Sequence, residues 1–200
     1  MVVALGAAGD VAKTGTPAEG VPLEVRRGFF TETDLGIFTN FGGQDSYSNV
    51  TPYLQLGIGY DIGAHFELGF HVGIGSSAQN CYGAKDAKLA CVVPTDSKTS
   101  LPDNFTVTYF SLTAAYLFEM VERFYIAPKL IGGFTILDPA PVVDANKNPI
   151  RFGANVGLAV GLEYATNMDH FSIGADVAFR YIIGPNIPSF QFLPRVKYTF

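Results

Sequence analysis

The chain has 200 residues, a formal net charge of −5 and only 16% charged residues, against 22 Gly, 17 Phe, 10 Tyr and no Trp. That length suits one domain, and the acidic balance excludes nucleic acid as a partner, because phosphate binding needs a basic surface. The chain is too apolar to be disordered, yet it lacks the run of about 18 apolar residues that a transmembrane helix requires.

A hydrophobic chain without long apolar runs must place its apolar residues by alternation. Aromatic residues suit strands and glycine weakens helices, so the class is all-β. Residues 1–27 form a lead-in. Met1 to Ala8 (MVVALGAA) resembles the end of a secretory signal peptide, although the basic start is missing and the apolar core is short; an ordinary flexible N-terminus is the alternative. Residues 9 to 27 mix Pro, Gly, Thr and both charges, as an unstructured segment does.

The first strand is expected over about Phe29 to Phe41. Phe29, Leu35, Ile37 and Phe41 share one face, Glu32, Asp34, Gly36 and Asn40 the other, and Phe30 and Phe38 break the pattern. After the polar loop GGQDSYSN, Leu54, Leu56, Ile58 and Tyr60 alternate with Tyr53, Gln55, Gly57 and Asp61. A tight turn at Ile62-Gly63-Ala64 leads to a third strand, with Phe66, Leu68, Phe70 and Val72 opposite Glu67, Gly69 and His71. Ser76 to Asp103 is the longest connection, and loops of that length usually carry function. It holds Cys81 and Cys91, which would form a disulfide in an oxidising compartment and stay free thiols in a reducing one. No second ligand pair accompanies them, so neither zinc nor any other cofactor is expected.

The fourth strand, about Phe105 to Phe118, turns through Glu119 to Arg123 into a fifth that carries Phe124, Ile126, Pro128, Leu130 and Phe134 against Tyr125, Ala127 and Lys129. The following DPAPVVDANKNP holds three prolines and is expected to contain neither strand nor helix. The sixth strand alternates best, Phe152 to Tyr164 against Gly153 to Glu163. A turn near Thr166 to Asp169 opens the seventh, with Phe171 to Tyr181 opposite Ser172, Asp176 and Arg180, and the loop GPNIPS leads to the eighth. Links after the second, fourth and sixth strands are short and the others generally longer, as in an antiparallel barrel with short turns at one end. Tyr60 followed by His65-Phe66 is echoed by Tyr164 followed by His170-Phe171.

The last strand, FQFLPRVKYTF, ends with Phe200 preceded at two-residue steps by Tyr198 and Val196. It resembles the closing strand of bacterial outer-membrane β-barrels, which implies recognition by the barrel-assembly machinery. The facing argument agrees. Eight strands enclose a space just wide enough for side chains, so the glycine-rich face belongs inside and the bulky apolar face outside, against lipid. A lipocalin-like barrel would reverse this, and the Gly-x-Trp element of lipocalins is absent. The expected fold is therefore an eight-stranded antiparallel transmembrane β-barrel over residues 28–200. Tyr60, Phe66, Phe118, Phe124, Tyr164, Phe171, Tyr198 and Phe200 would then form an aromatic girdle at one membrane interface. Glu32, Asp34, Asp61, Glu67, His71, Lys129, Glu163, Asp176, Arg180, Arg195 and Lys197 would lie inside, where charges must pair. That points to a salt-bridged plug, with an ion pathway as the alternative.

Catalysis has one candidate. His170-Phe171-Ser172 has the His-x-Ser spacing of a lipid-A-modifying family, but it flanks a short turn and has no carboxylate neighbourhood. The expectation is a non-enzymatic protein that acts through its outer loops. A disulfide across the long loop would make it a defined recognition surface; a merely protective loop is the alternative. The segments GFFTETDLGIFTNFGG and PYLQLGIGYDIGAHFELGF, followed by the cysteine-bearing loop, resemble the outer-membrane proteins of myxobacterial gliding motility over residues 28–200. The resemblance implies a component of an envelope-spanning gliding apparatus, with envelope motility proteins as partners and transfer between cells by outer-membrane exchange. It transfers no functional residues.

Overall fold

In the computed structural model of the chain, residues 27–41, 50–77, 105–138, 142–143, 149–168 and 170–200 are described. Their strands are β1 Phe29–Asn40, β2 Thr51–Ile62, β3 Phe66–Ser77, β4 Phe105–Tyr116, β5 Phe118–Val121, β6 Phe124–Asp138, β7 Val142–Val143, β8 Pro149–Ile150, β9 Phe152–Ala165, β10 Phe171–Ile183 and β11 Ile187–Thr199. β1 pairs with β2 on one side and β11 on the other, and β3, β4, β6, β9 and β10 complete the ring, each pair antiparallel. β5 prolongs the β4 wall, so the closed barrel has eight walls, as the alternation predicted.

The break between β4 and β5 has a chemical cause. Ala115 pairs with Lys129 and Phe118 with Ile126 in one unbroken register, and the interruption falls at Pro128, which has no N–H to give. The seam between β1 and β11 behaves likewise. Pairing stops between Asp34–Arg195 and Ile37–Phe192, where Pro194 lacks its donor. Gly36 sits in that gap because a Cβ there would overlap the Phe192 carbonyl.

Inward and outward residues alternate almost without exception in β2 and β9. Leu56, Leu112, Leu130 and Leu158 are at least 56% exposed, whereas Glu32, Glu67, Glu163 and Lys197 are at most 3% exposed. That is the reverse of a water-soluble barrel. An isolated surface leucine is ordinary; a continuous apolar band around a barrel with buried charges is a lipid-facing surface.

Four local expectations are corrected. Phe30 and Phe38, the apparent faults of the first strand, face inward and are buried. The Pro-rich connection contains the β7–β8 ribbon, in which Val143 pairs with Pro149 and Val142 with Ile150; a proline is tolerated there because it is the first residue of its strand. The fourth strand runs on through Val121, leaving a turn of only Glu122 and Arg123. The seventh link is only Gly184-Pro185-Asn186, and Ile187, Pro188 and Ser189 belong to β11. Gly184 and Asn186 take positive φ values of 106° and 58°, a left-handed conformation suited to these residue types, so the tight reversal needs no longer loop.

Candidate functional site: the filled lumen and the aromatic rim

The lumen is stratified. Towards the long-loop end Phe38, Tyr53, Val107, Tyr109, Leu137, Ile182, Ile187 and Leu193 pack as one apolar cluster, beside uncharged buried polar residues such as Asn40, Thr135, Asn155 and Ser189. β3 makes room for the rings with glycine, since a Cβ at Gly73 would overlap the Tyr53 hydroxyl and one at Gly75 the Phe38 ring. Tyr53 and Tyr109 meet edge-on at 6.0 Å, and the Tyr109 hydroxyl lies 3.2 Å from Ser189 Oγ.

Below this plug lie the charges. Arg195 is the hub, 3.1 Å from Glu163, 3.4 Å from Glu32, 3.8 Å from Asp176 and 4.0 Å from Glu67. Lys197 holds Glu67 at 2.7 Å and Asp61 at 2.9 Å, and lies 4.0 Å above the Phe30 ring. Lys129 holds Asp176 at 2.7 Å, and His71 Nε2 contacts Glu32. Higher up, Arg180 donates to Ser111 at 2.6 Å and to Gln55 at 3.2 Å, and Gln55 donates to Asp34 at 2.5 Å. The interior charges expected from the alternation are thus all buried and fall into two sets of contacts, Asp34 and Arg180 joined through Gln55, and the rest around Arg195, Lys129 and Lys197. A void between Glu32, Gln55, His71, Lys129, Asp176 and Arg180 is about 10 Å³, room for about one water.

The network closes at the short-turn end with Arg27, assigned by sequence to the lead-in. Its guanidinium lies 3.6 Å from Glu163 and 3.9 Å from Asp61, over the Tyr125 ring at 4.6 Å. Sequence reasoning missed it because alternation gives no information before the first strand. The signal available was an arginine two residues ahead of that strand, beside a lumen with excess carboxylates.

The short-turn rim is built twice. Tyr116 stacks on His65 at 5.5 Å, meets Phe66 edge-on at 5.0 Å and touches Phe118 at 4.5 Å. Tyr198 does the same with His170 at 5.4 Å, Phe171 at 4.9 Å and Phe200 at 5.0 Å. The registers repeat too, Phe29 opposite Tyr60 and Phe124 opposite Tyr164. The faint sequence echo is therefore a repeat of four walls, with Tyr116-Leu117-Phe118 standing where the second copy ends in Tyr198-Thr199-Phe200. Tyr60, Phe66, Phe118, Tyr164, Phe171 and Phe200 are exposed and Phe124 and Tyr198 half-buried, all eight at this end; Tyr116 belongs with them and was missed.

Each short turn is clamped to the next wall. The His65, Arg123 and His170 carbonyls accept from Leu117, Ala165 and Thr199 N–H at 2.7, 2.9 and 2.8 Å. Their side chains donate back: His65 Nδ1–H to the Leu117 carbonyl at 3.2 Å, Arg123 to Thr166 at 2.9 Å, and His170 Nδ1–H to Thr199 at 2.6 Å. This bears on the His-x-Ser candidate. His170 is engaged at the turn by backbone and by the Tyr198 ring, while Ser172 is a buried inward residue of β10. Cys81, Cys91 and the 76–103 loop lie outside the described residues, apart from Ser76 and Ser77 at the end of β3.

No protein-family model and no curated protein matches this chain. Solved structures do. Neisserial surface protein A aligns at 12% identity with a TM-score of 0.58, covering 86% of this chain and 97% of that one. Ail, the attachment invasion locus protein of Yersinia pestis, aligns at 12% identity and 0.54, covering 88% and 100%. The outer membrane protein AlkL aligns at 14% identity and 0.53, covering 93% and 95%. At such identities the likeness is one of architecture, and this chain has the fold of the small bacterial outer-membrane β-barrels.

Proposed function

We propose that this chain is a non-enzymatic component of a bacterial outer membrane that works through the segments beyond its long-loop rim, as part of a motility or adhesion assembly. The observation that carries the reading is the filled lumen. An apolar cluster and a charge network pack inside it, which leaves the barrel suited to be a mount for what projects from it. Ail, one of the architectural neighbours, is an attachment invasion protein, which supports the adhesion side of the proposal. The motility side is supported by the resemblance of residues 28–200 to gliding-motility outer-membrane proteins. Within this reading the eight rim aromatics anchor the barrel at the inner interface, the C-terminal strand is the segment the assembly machinery reads, and Cys81–Cys91 braces the long loop.

The test is genetic, with a structural control. Cells lacking the chain are expected to lose surface movement or attachment, and the full chain to restore it. A chain without residues 78–104 is expected to reach the membrane, migrate as a folded barrel and fail to restore. Full restoration by the loopless chain, or stepwise conductance of the purified protein in planar bilayers, overturns the proposal.

A further inference from the structure

The outer wall is not evenly covered. A groove of about 690 Å³ crosses it from β1 to β6 on the lipid-facing side. It follows one row of the ladder, Phe29 opposite Tyr60, Tyr60 opposite Leu68, Leu68 opposite Ala114 and Ala114 opposite Leu130. Phe29 is the first residue of its strand, at the short-turn rim, whereas Leu130 is the seventh of β6 and lies deep in the wall. The groove therefore starts among the interfacial aromatics and descends obliquely. Four interstrand steps make it about 19 Å long. With strands tilted by about 40° it drops about 12 Å, close to the depth of one leaflet of a ~30 Å hydrocarbon core.

Its floor is made by small residues where neighbouring walls carry Leu, Ile or Phe. Ala114 is one; Gly132 is the other. Among the described strand glycines, Gly132 alone has nothing within 4 Å of where a Cβ would stand. No close approach of backbone or side chain explains it, and a glycine inside a strand weakens that strand. What its missing side chain does is keep the groove open.

We propose that this groove is a binding site for one acyl chain of a phospholipid in the leaflet at the short-turn end. Its headgroup sits at the rim beside the Tyr60 hydroxyl, and its chain lies along Leu68, Ala114 and Leu130. The oblique course from an aromatic interface into hydrocarbon matches a lipid tail, and a protein partner would have no need of it. The site goes beyond the proposed role of the outer loops and rests only on the barrel spanning a membrane.

The experiment is native mass spectrometry of the full chain, taken from vesicles of phosphatidylethanolamine and phosphatidylglycerol into mild detergent. Heat-dependent gel migration confirms a folded barrel in every sample, so failure to span a membrane and failure to hold lipid are told apart. The wild-type chain is expected to retain one phospholipid. Ala114→Phe with Gly132→Phe fills the groove and lowers the retained fraction by about tenfold. Val177→Phe, on the outer face of β10 across the barrel, leaves it unchanged. Gly132→Val is expected to raise thermal stability while lowering retention, a divergence that a purely structural glycine would not produce. A wild-type chain that sheds lipid as readily as the double variant, or that carries lipid A or a second copy of itself in place of phospholipid, overturns the proposal.

Discussion

At the scale of single residues, Arg195 decides most. It is buried among Glu32, Glu67, Glu163 and Asp176 and is, among the described residues, the one cation within reach of all four, so it offsets a large share of their desolvation cost beside Lys129, Lys197, His71 and Arg27. Arg195→Ala is expected to destabilise the barrel by about 3–5 kcal/mol, read from urea unfolding in lipid vesicles. An unchanged midpoint would mean that the carboxylates are solvated and the lumen is open. His170 has a smaller part. Losing its bond to the Thr199 carbonyl is worth about 1 kcal/mol, and His170→Ala should leave lipid A chemically unaltered in mass spectra of the host membrane. A changed acylation pattern would revive the catalytic reading. Arg123 adopts a φ of 65°, strained for a side-chain-bearing residue, and its bonds to Thr166 and Asn167 hold it there.

At the scale of elements, the alternation made the walls legible because strand side chains have a period of two and the environments on the two sides differ so sharply. β9 shows this most directly. Leu158 is 64% exposed while Ala159, next to it, is buried. Leu158→Arg should therefore cost about 2–4 kcal/mol near the bilayer midplane, measured by the same unfolding experiment. A cost near zero would place that side chain in water. What alternation could not show was what fills the lumen at each height. Phe30 and Phe38 looked like faults because an inward aromatic breaks the polar pattern, yet one lies under Lys197 and the other fills the apolar plug. Element ends were equally opaque. Pro128 and Pro194 sit in mid-strand positions facing outward, and only the ladder shows that each merely interrupts one edge of pairing. The role of Arg27 depends on Asp61 and Glu163, which no local pattern connects to it.

At the scale of the molecule, the two His-Phe-Tyr-Phe clusters make the barrel a doubled four-wall unit. The outward band of one unit continues into the other, and the lumen they enclose holds an apolar cluster and a charge network. On the proposed reading, function belongs to what the barrel carries, and conductance in planar bilayers would overturn it. All of this depends on which side of the wall meets lipid. Spin labels placed one at a time from Phe152 to Ala165, in a chain with Cys81 and Cys91 replaced by serine and reconstituted in bilayers, measure that side directly. Accessibility to oxygen should peak at Leu158, Val160 and Leu162 with little access to a water-soluble nickel complex, and Ala159 and Gly161 should admit neither. Strong nickel access at Leu158 and Val160 would contradict the account.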